Sequence, residues 1–289
     1  MFEGFQTAFI ATSGAGIHLR RGGSGPPLLL LHGHPQTHAM WHRIAPRLAE
    51  EYTVVCADLR GYGDSAKPAT DEEHRPYSKR AMAQDQVEVM EALGFTRFAV
   101  VGHDRGGRCA YRMALDHPDR VAALAVLDIL PTGEHFRRTG ADFALGYWHW
   151  FFLAQPHPLP ETLISADPDA FYLRRGRSMF APEALSEYRR CFTDPATIHA
   201  MCEDYRAAVS IDWPLDEADK ASGKRIACPV LALWGEEGSL PRWYDVVRVW
   251  QDWAQDVSGR GIQCGHYLAE EAPEETLSAL LPFLRKVGR

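Results

Sequence analysis

The apolar positions of this chain fall into short continuous runs separated by amphipathic stretches. PPLLLLHG (26–33), YTVVCADLRG (52–61), FAVVGHD (98–104) and VAALAVLDI (121–129) are dense in Val, Leu and Ala. Such near-continuous runs mark strands covered on both faces. Between them, KRAMAQDQVEVMEALGF (79–95) and RCAYRMALDHPDR (108–120) carry apolar residues at helical spacing. Strands alternating with helices predict an α/β fold with a mostly parallel, doubly wound sheet, its first part over 1–130.

From 131 to 225 this rhythm stops. The chain turns Trp-, Tyr- and Arg-rich and is punctuated by proline, as in YWHWFFLAQPHPLPE, with helix-like pieces and no clear buried strand. The strand pattern resumes at CPVLALWGEEG (228–238) and RGIQCGH (260–266), and PEETLSALLPFLRKV reads as a last helix, so 226–289 is the second part of the core. The middle segment is expected to be a helical cap. Placed at the C-terminal ends of the strands, it would lie over the crevice where such sheets bind ligands.

Composition then narrows the partners. The 289 residues, 46% hydrophobic, can fill a substantial core, and the net charge of -7 without a long Lys/Arg run argues against nucleic acid or an anionic membrane as partner. No stretch approaches the roughly 20 apolar residues that span a bilayer. The N-terminal MFEGFQTAFIATSG has no basic segment leading into an apolar core, and the expected location is cytoplasmic. Cys56, Cys109, Cys191, Cys202, Cys228 and Cys264 show no CxxC pairing and read as reduced thiols. GGSGPP (22–27) lacks the Gly-Lys-Ser/Thr ending of a phosphate loop.

The candidate chemistry begins at VGHDRGG (101–107), a small-x-nucleophile-x-small turn between a strand and a helix that normally carries serine at its centre. Here the centre is Asp104. HGHPQ (32–36) ends another predicted strand, where a backbone N–H can point into the crevice, and Gly265-His266 comes late in the chain. Nucleophile on an elbow, acid later and histidine last is the order of an α/β-hydrolase.

On these motifs, together with HGHPQTHAMW, VVCADLRGYGDS, VGHDRGGR, MALDHPDRV, LDILPT, YWHWFF, DYRAA and LALWG, nearly the whole chain resembles the α/β-hydrolases. Within them it resembles the haloacetate dehalogenases, the group that includes fluoroacetate dehalogenases. The resemblance implies hydrolysis of short 2-haloacids to the hydroxy acid and halide, with inversion at a chiral carbon, no metal or organic cofactor, and a homodimer.

The residues make chemical sense of this. The carboxylate of Asp104 needs no deprotonation near neutral pH and can displace a leaving group from a saturated carbon, leaving an ester on the enzyme. His266 would then activate water against that ester, with the backbone N–H groups of His34 and Arg105 as the oxyanion hole. Two positions compete for the acid that orients His266. Asp128 is the family's place and the favoured one, and Glu236 or Glu237 in WGEEG is the place used by many other α/β-hydrolases.

Arg105 and Arg108 sit next to the nucleophile, and guanidinium groups hold carboxylates by charge-assisted hydrogen bonds. They imply an anionic substrate. Cations at a helix N-terminus are unfavourable unless something holds them there. For the halide, the resemblance points to His149 and Trp150, and it places a further hydroxyl a few residues after DYRA, at Ser210.

His34, His38 and His42 recur every four residues, but Pro35 and the lack of a nearby carboxylate speak against a metal site there. Asp58, Arg60 and Asp64 read as loop-fixing residues. The rival readings are an epoxide hydrolase, needing phenols over the nucleophile from among Tyr147, Tyr172, Tyr188 and Tyr205, and a non-catalytic ligand-binding homologue, which would have lost a triad member that this chain retains.

Overall fold

The computed structural model describes residues 1–174 and 176–287. Among the described residues eight strands form one sheet in the order β1-β2-β4-β3-β5-β6-β7-β8. The apolar runs supply β3 (Pro27–Leu31), β4 (Thr53–Ala57), β5 (Phe98–His103), β6 (Val121–Leu127) and β7 (Val230–Gly235). These pair in parallel, as does the edge strand β8 (Val257–Ile262). Leu28–Leu31, Val54–Ala57 and Leu124–Leu127 are buried, as strands covered on both faces must be.

Two strands escape the sequence reading. β1 (Gln6–Ala11) and β2 (Gly16–Gly22) form an antiparallel hairpin on the sheet edge, with β2 antiparallel to β4. β1 alternates between exposed and half-buried positions, so it offers no apolar run. The last strand also ends earlier than RGIQCGH suggests, leaving Gly265 and His266 in the loop beyond it.

Helices Lys79–Ala92 and Asp104–Asp116 pack together, and the terminal helix Pro273–Val287 packs on the sheet. Between β6 and β7 the chain forms a series of helices from Thr132–Arg137 to Trp213–Ser222, including Trp148–Leu153, Pro182–Phe192 and Pro195–Ala207. All six cysteines are free and buried. Among the described residues no helix is long and apolar enough to cross a membrane.

The register positions the chemistry. Leu31 lies opposite Gly102, His103 opposite Leu127, and Leu127 opposite Leu233. The loops after β3, β5, β6 and β7 therefore leave the sheet side by side at its C-terminal edge, where open α/β sheets bind ligands.

Candidate active site

β5 runs directly into the helix that begins at Asp104, so the turn has no spare residue. Asp104 takes φ +46°, a left-handed conformation that a non-glycine residue holds only when its surroundings dictate it. Gly106 lets the new helix cross close under the HGHPQ loop, since a Cβ there would lie 2.3 Å from the His32 carbonyl oxygen. The side chain of Asp104 is thereby presented to a small cavity lined by His34, Pro35, Tyr147, His149, Tyr172, Arg174, Tyr205, His266 and Tyr267.

Asp104 Oδ1 accepts the His34 backbone N–H at 2.9 Å, and Oδ2 lies 3.9 Å from His266 Nε2. On the other side of the imidazole, His266 Nδ1 is 2.6 Å from Asp128 Oδ2. Asp128 stands just past β6 at φ +52°, and its second oxygen accepts the Gly235 N–H at 3.0 Å. The structure thus brings Asp128 to His266. Glu236 is exposed and accepts the Trp234 indole N–H at 3.1 Å, and Glu237 is exposed as well.

Burial alone would raise the Asp104 pKa. The charges of His266, His103, Arg108 and Arg105 outweigh it and hold the carboxyl well below the usual range. Burial pushes the His34 imidazole down to about 3, so that ring is neutral.

Arg105 and Arg108 are fully buried behind Asp104. Arg105 is gripped by Asp204 of the inserted helices: Nε donates to Oδ2 at 3.0 Å, and Nη2 donates to Oδ1 and, at 2.8 Å, to the Asp204 carbonyl. Its guanidinium also lies over the Tyr205 ring at 4.2 Å. Arg108 Nη1 donates to the Leu130 carbonyl at 2.9 Å and to Thr132 Oγ1 at 3.2 Å, with the Trp150 ring 4.4 Å from its guanidinium. Arg105 Nη1 and Arg108 Nε remain buried and, among the described residues, without a hydrogen-bond partner. These partners explain how two cations tolerate a helix N-terminus.

His149 lines the cavity, and Trp150, 2% exposed, supports Arg108 from below. The Ser210 expectation is corrected. The chain makes a π-helical turn over Ala208–Asp212, which leaves Ser210 exposed and donating to the Glu73 carbonyl at 2.9 Å. Tyr205, inside the DYR triplet itself, is among the tyrosines that line the cavity, its ring centroid 6.2 Å from both His149 and Trp150. Of the four candidate tyrosines, Tyr147, Tyr172 and Tyr205 line the cavity, and Tyr188 bonds Glu270 elsewhere.

Asp204 was missed by the sequence reading. Its buried carboxylate pairs with Arg105 and Lys79 and accepts the Tyr62 hydroxyl at 2.8 Å. The signal was available, because a buried arginine requires a buried acceptor and DYRAA supplies one.

The three histidines of the metal reading diverge. His34 faces the cavity, His38 Nδ1 meets Asp58 at 2.9 Å, and His42 Nδ1 meets the Ala39 carbonyl at 2.9 Å. Asp58 also meets His18 Nδ1 at 2.8 Å and accepts the His38 N–H at 2.7 Å, so this cluster with metal-like spacing is engaged as a hydrogen-bonded hub. Arg60 bonds Asp85, and Asp64 pairs with Arg190 on the inserted helix Pro182–Phe192.

Residues 26–273 match the profile of a family described as alpha/beta hydrolase fold. The chain belongs to the α/β-hydrolase fold family. It is 48% identical to a fluoroacetate dehalogenase from Burkholderia sp., over 98% of this chain and 95% of that one. It is 35% identical to a soluble epoxide hydrolase from Corynebacterium sp. (strain C12), over 94% of each. A crystal structure of an α/β-hydrolase from Nostoc sp. PCC 7120 superposes with a TM-score of 0.96 at 56% identity, covering 98% of this chain and 99% of that one.

Proposed function

We propose that this enzyme hydrolyses short 2-haloacids to the 2-hydroxy acid and halide through an ester on Asp104. The observation that carries the reading is the pair Arg105 Nη1 and Arg108 Nε, buried donors beside an ionised nucleophile. Buried N–H groups of a cation are costly to leave unpaired, and a substrate carboxylate one carbon from the attacked centre would satisfy them. The likeness to a fluoroacetate dehalogenase supports the same class.

In the first step a lone pair of the Asp104 carboxylate forms the C–O bond as the carbon–halogen bond breaks. His149, Trp150 and Tyr205 are assigned to the departing halide, since imidazole, indole and phenol groups can each donate to an anion. In the second step His266 Nε2 takes a proton from water as its oxygen adds to the Asp104 carbonyl carbon. The oxyanion is held by the His34 N–H, already 2.9 Å from Asp104 Oδ1, and by the Arg105 N–H. Collapse breaks the bond to the hydroxy acid oxygen, which leaves with the proton from His266. Asp128 keeps the imidazole in the required tautomer.

The cavity volume is about 30 Å³, and one water needs roughly 10–15 Å³, so the space favours a small substrate. The inserted helices act as the cap that closes this space. A halide-release panel of fluoro-, chloro- and bromoacetate and 2-chloropropionate tests the reading. Turnover of the acetates is expected to exceed that of the propionate, and an absence of halide from all four would refute it.

One observation favours a second reading. The Tyr172 hydroxyl is buried in the cavity wall with no hydrogen-bond partner among the described residues, and a phenol there could protonate an opening epoxide. Diol from styrene oxide without halide from chloroacetate would select that alternative.

A further inference from the structure

The base His266 lies on a loop outside regular structure, and a loop can aim an imidazole only as well as its backbone is held. Two holds belong to the ring and carbonyl: Asp128 on Nδ1, and His103 Nε2 at 2.8 Å from the His266 oxygen. A third comes from a residue the mechanism has not used. Glu271, at the end of the short helix Leu268–Glu271, folds its carboxylate back under the loop. Its Oε2 accepts the Gly265 N–H at 2.9 Å and its Oε1 accepts the Tyr267 N–H at 2.8 Å.

One carboxylate therefore grips the peptide N–H on each side of His266. Both bonds have the short lengths of charge-assisted pairs. The fit explains Gly265 as well, because a Cβ there would lie 2.8 Å and 3.1 Å from the two Glu271 oxygens. The adjacent Glu270 points away, to Tyr188 and, at 3.1 Å, to Gln36 Nε2. Beside the clamp is a cavity of about 300 Å³ lined in part by Asp128, His266 and Glu271.

We propose that Glu271 is a positioning residue for the second half of the reaction, fixing the backbone of His266 so that Nε2 stays aimed at the Asp104 ester. The inference rests on the aspartyl-ester reading above. In that reading the displacement by Asp104 needs no base, whereas the attack of water transfers a proton to His266 Nε2. Misplacing a catalytic group by a fraction of an ångström slows only the step that uses it. Loosening the clamp should therefore slow ester hydrolysis and spare ester formation.

The test is rapid-quench halide release from bromoacetate, with intact-protein mass spectrometry, on wild type, Glu271→Gln, Glu271→Ala and His266→Ala. Glu271→Ala is expected to release one halide per active site at a rate within threefold of wild type, then turn over 10–100-fold more slowly. KM should fall along with kcat, and the protein should carry the added mass of one carboxymethyl group. Glu271→Gln keeps one acceptor oxygen and should fall between wild type and Glu271→Ala, which also guards against poor folding of the alanine variant. If burst and steady state decline together in both variants and no ester accumulates, Glu271 serves the fold alone and the proposal is overturned. His266→Ala separates the two readings. An ester trapped there but in neither Glu271 variant refutes the clamp alone, and no ester even in His266→Ala refutes the ester mechanism beneath it.

Discussion

The charges around Asp104 keep its carboxyl ionised while buried, as the proposed nucleophilic role requires. Glu270 is the contrasting carboxyl: burial pushes its pKa from an ordinary 4.5 up to about 7, against the opposing hydrogen bonds of Tyr188 and Gln36. Its sign is that of a raised acid. The folded chain keeps the proton up to about pH 7, whereas the unfolded chain releases it near 4.5. The stabilising contribution of the neutral carboxyl is thus full below 4.5 and is lost as pH rises towards 7. Glu270→Gln, which cannot ionise, is expected to flatten this dependence, making the variant more stable relative to wild type at pH 8 than at pH 5 by about 1–3 kcal/mol. Urea unfolding at the two pH values measures it, and an equal difference at both would show that Glu270 does not titrate in this window.

At the scale of elements, the elbow depends on two surfaces meeting closely. The helix Asp104–Asp116 passes under the loop after β3 with room at Gly106 for hydrogen only, the Leu31 carbonyl oxygen lying 2.4 Å from where a Cβ would be. Gly106→Ala must push the helix and the His34 loop apart. We expect a loss of roughly 2–4 kcal/mol of stability and, in whatever folds, at least a tenfold fall in kcat as the His34 N–H leaves Asp104. Near-normal kcat would mean that the elbow tolerates the shift.

The same scale shows what was legible in the sequence. Strands buried on both faces announce themselves as apolar runs, and Asp104 and His34, fixed to strand ends, could be placed from order, whereas order left Asp128 in competition with Glu236 and Glu237 and only the family resemblance favoured it. The β1-β2 hairpin could not, because an edge strand half in solvent has no such run. Ser210 rested on the family's pattern after DYRA, and here the π-turn at Ala208–Asp212 leaves that residue exposed. Asp204 and Glu271 act through contacts formed only when distant or folded-back segments meet, which no local periodicity encodes.

At the scale of the molecule, the inserted helices and the sheet domain are joined through charge as well as apolar packing. Asp204 on the helix Pro195–Ala207 neutralises Arg105 from the elbow helix and Lys79 from the helix Lys79–Ala92, all three buried. Removing one member of such a cluster strands the others, at a cost of about 3–5 kcal/mol. Asp204→Asn is therefore expected to lower stability by that order and to raise KM for haloacetate, because Arg105 loses the grip that aims its free N–H. Thermal unfolding and steady-state kinetics check both, and unchanged values would remove Asp204 from the substrate-binding account.

In the proposed reaction the carboxylate at the elbow becomes covalently bound to substrate. This step is tested most directly by a single turnover of haloacetate with excess enzyme in ¹⁸O-water, followed by mass analysis of the peptide containing Asp104 and of the hydroxy acid. The heavy oxygen is expected in that peptide and ordinary oxygen in the product. Label in the product and none in the peptide would mean that water attacks the substrate directly, and would contradict the covalent step.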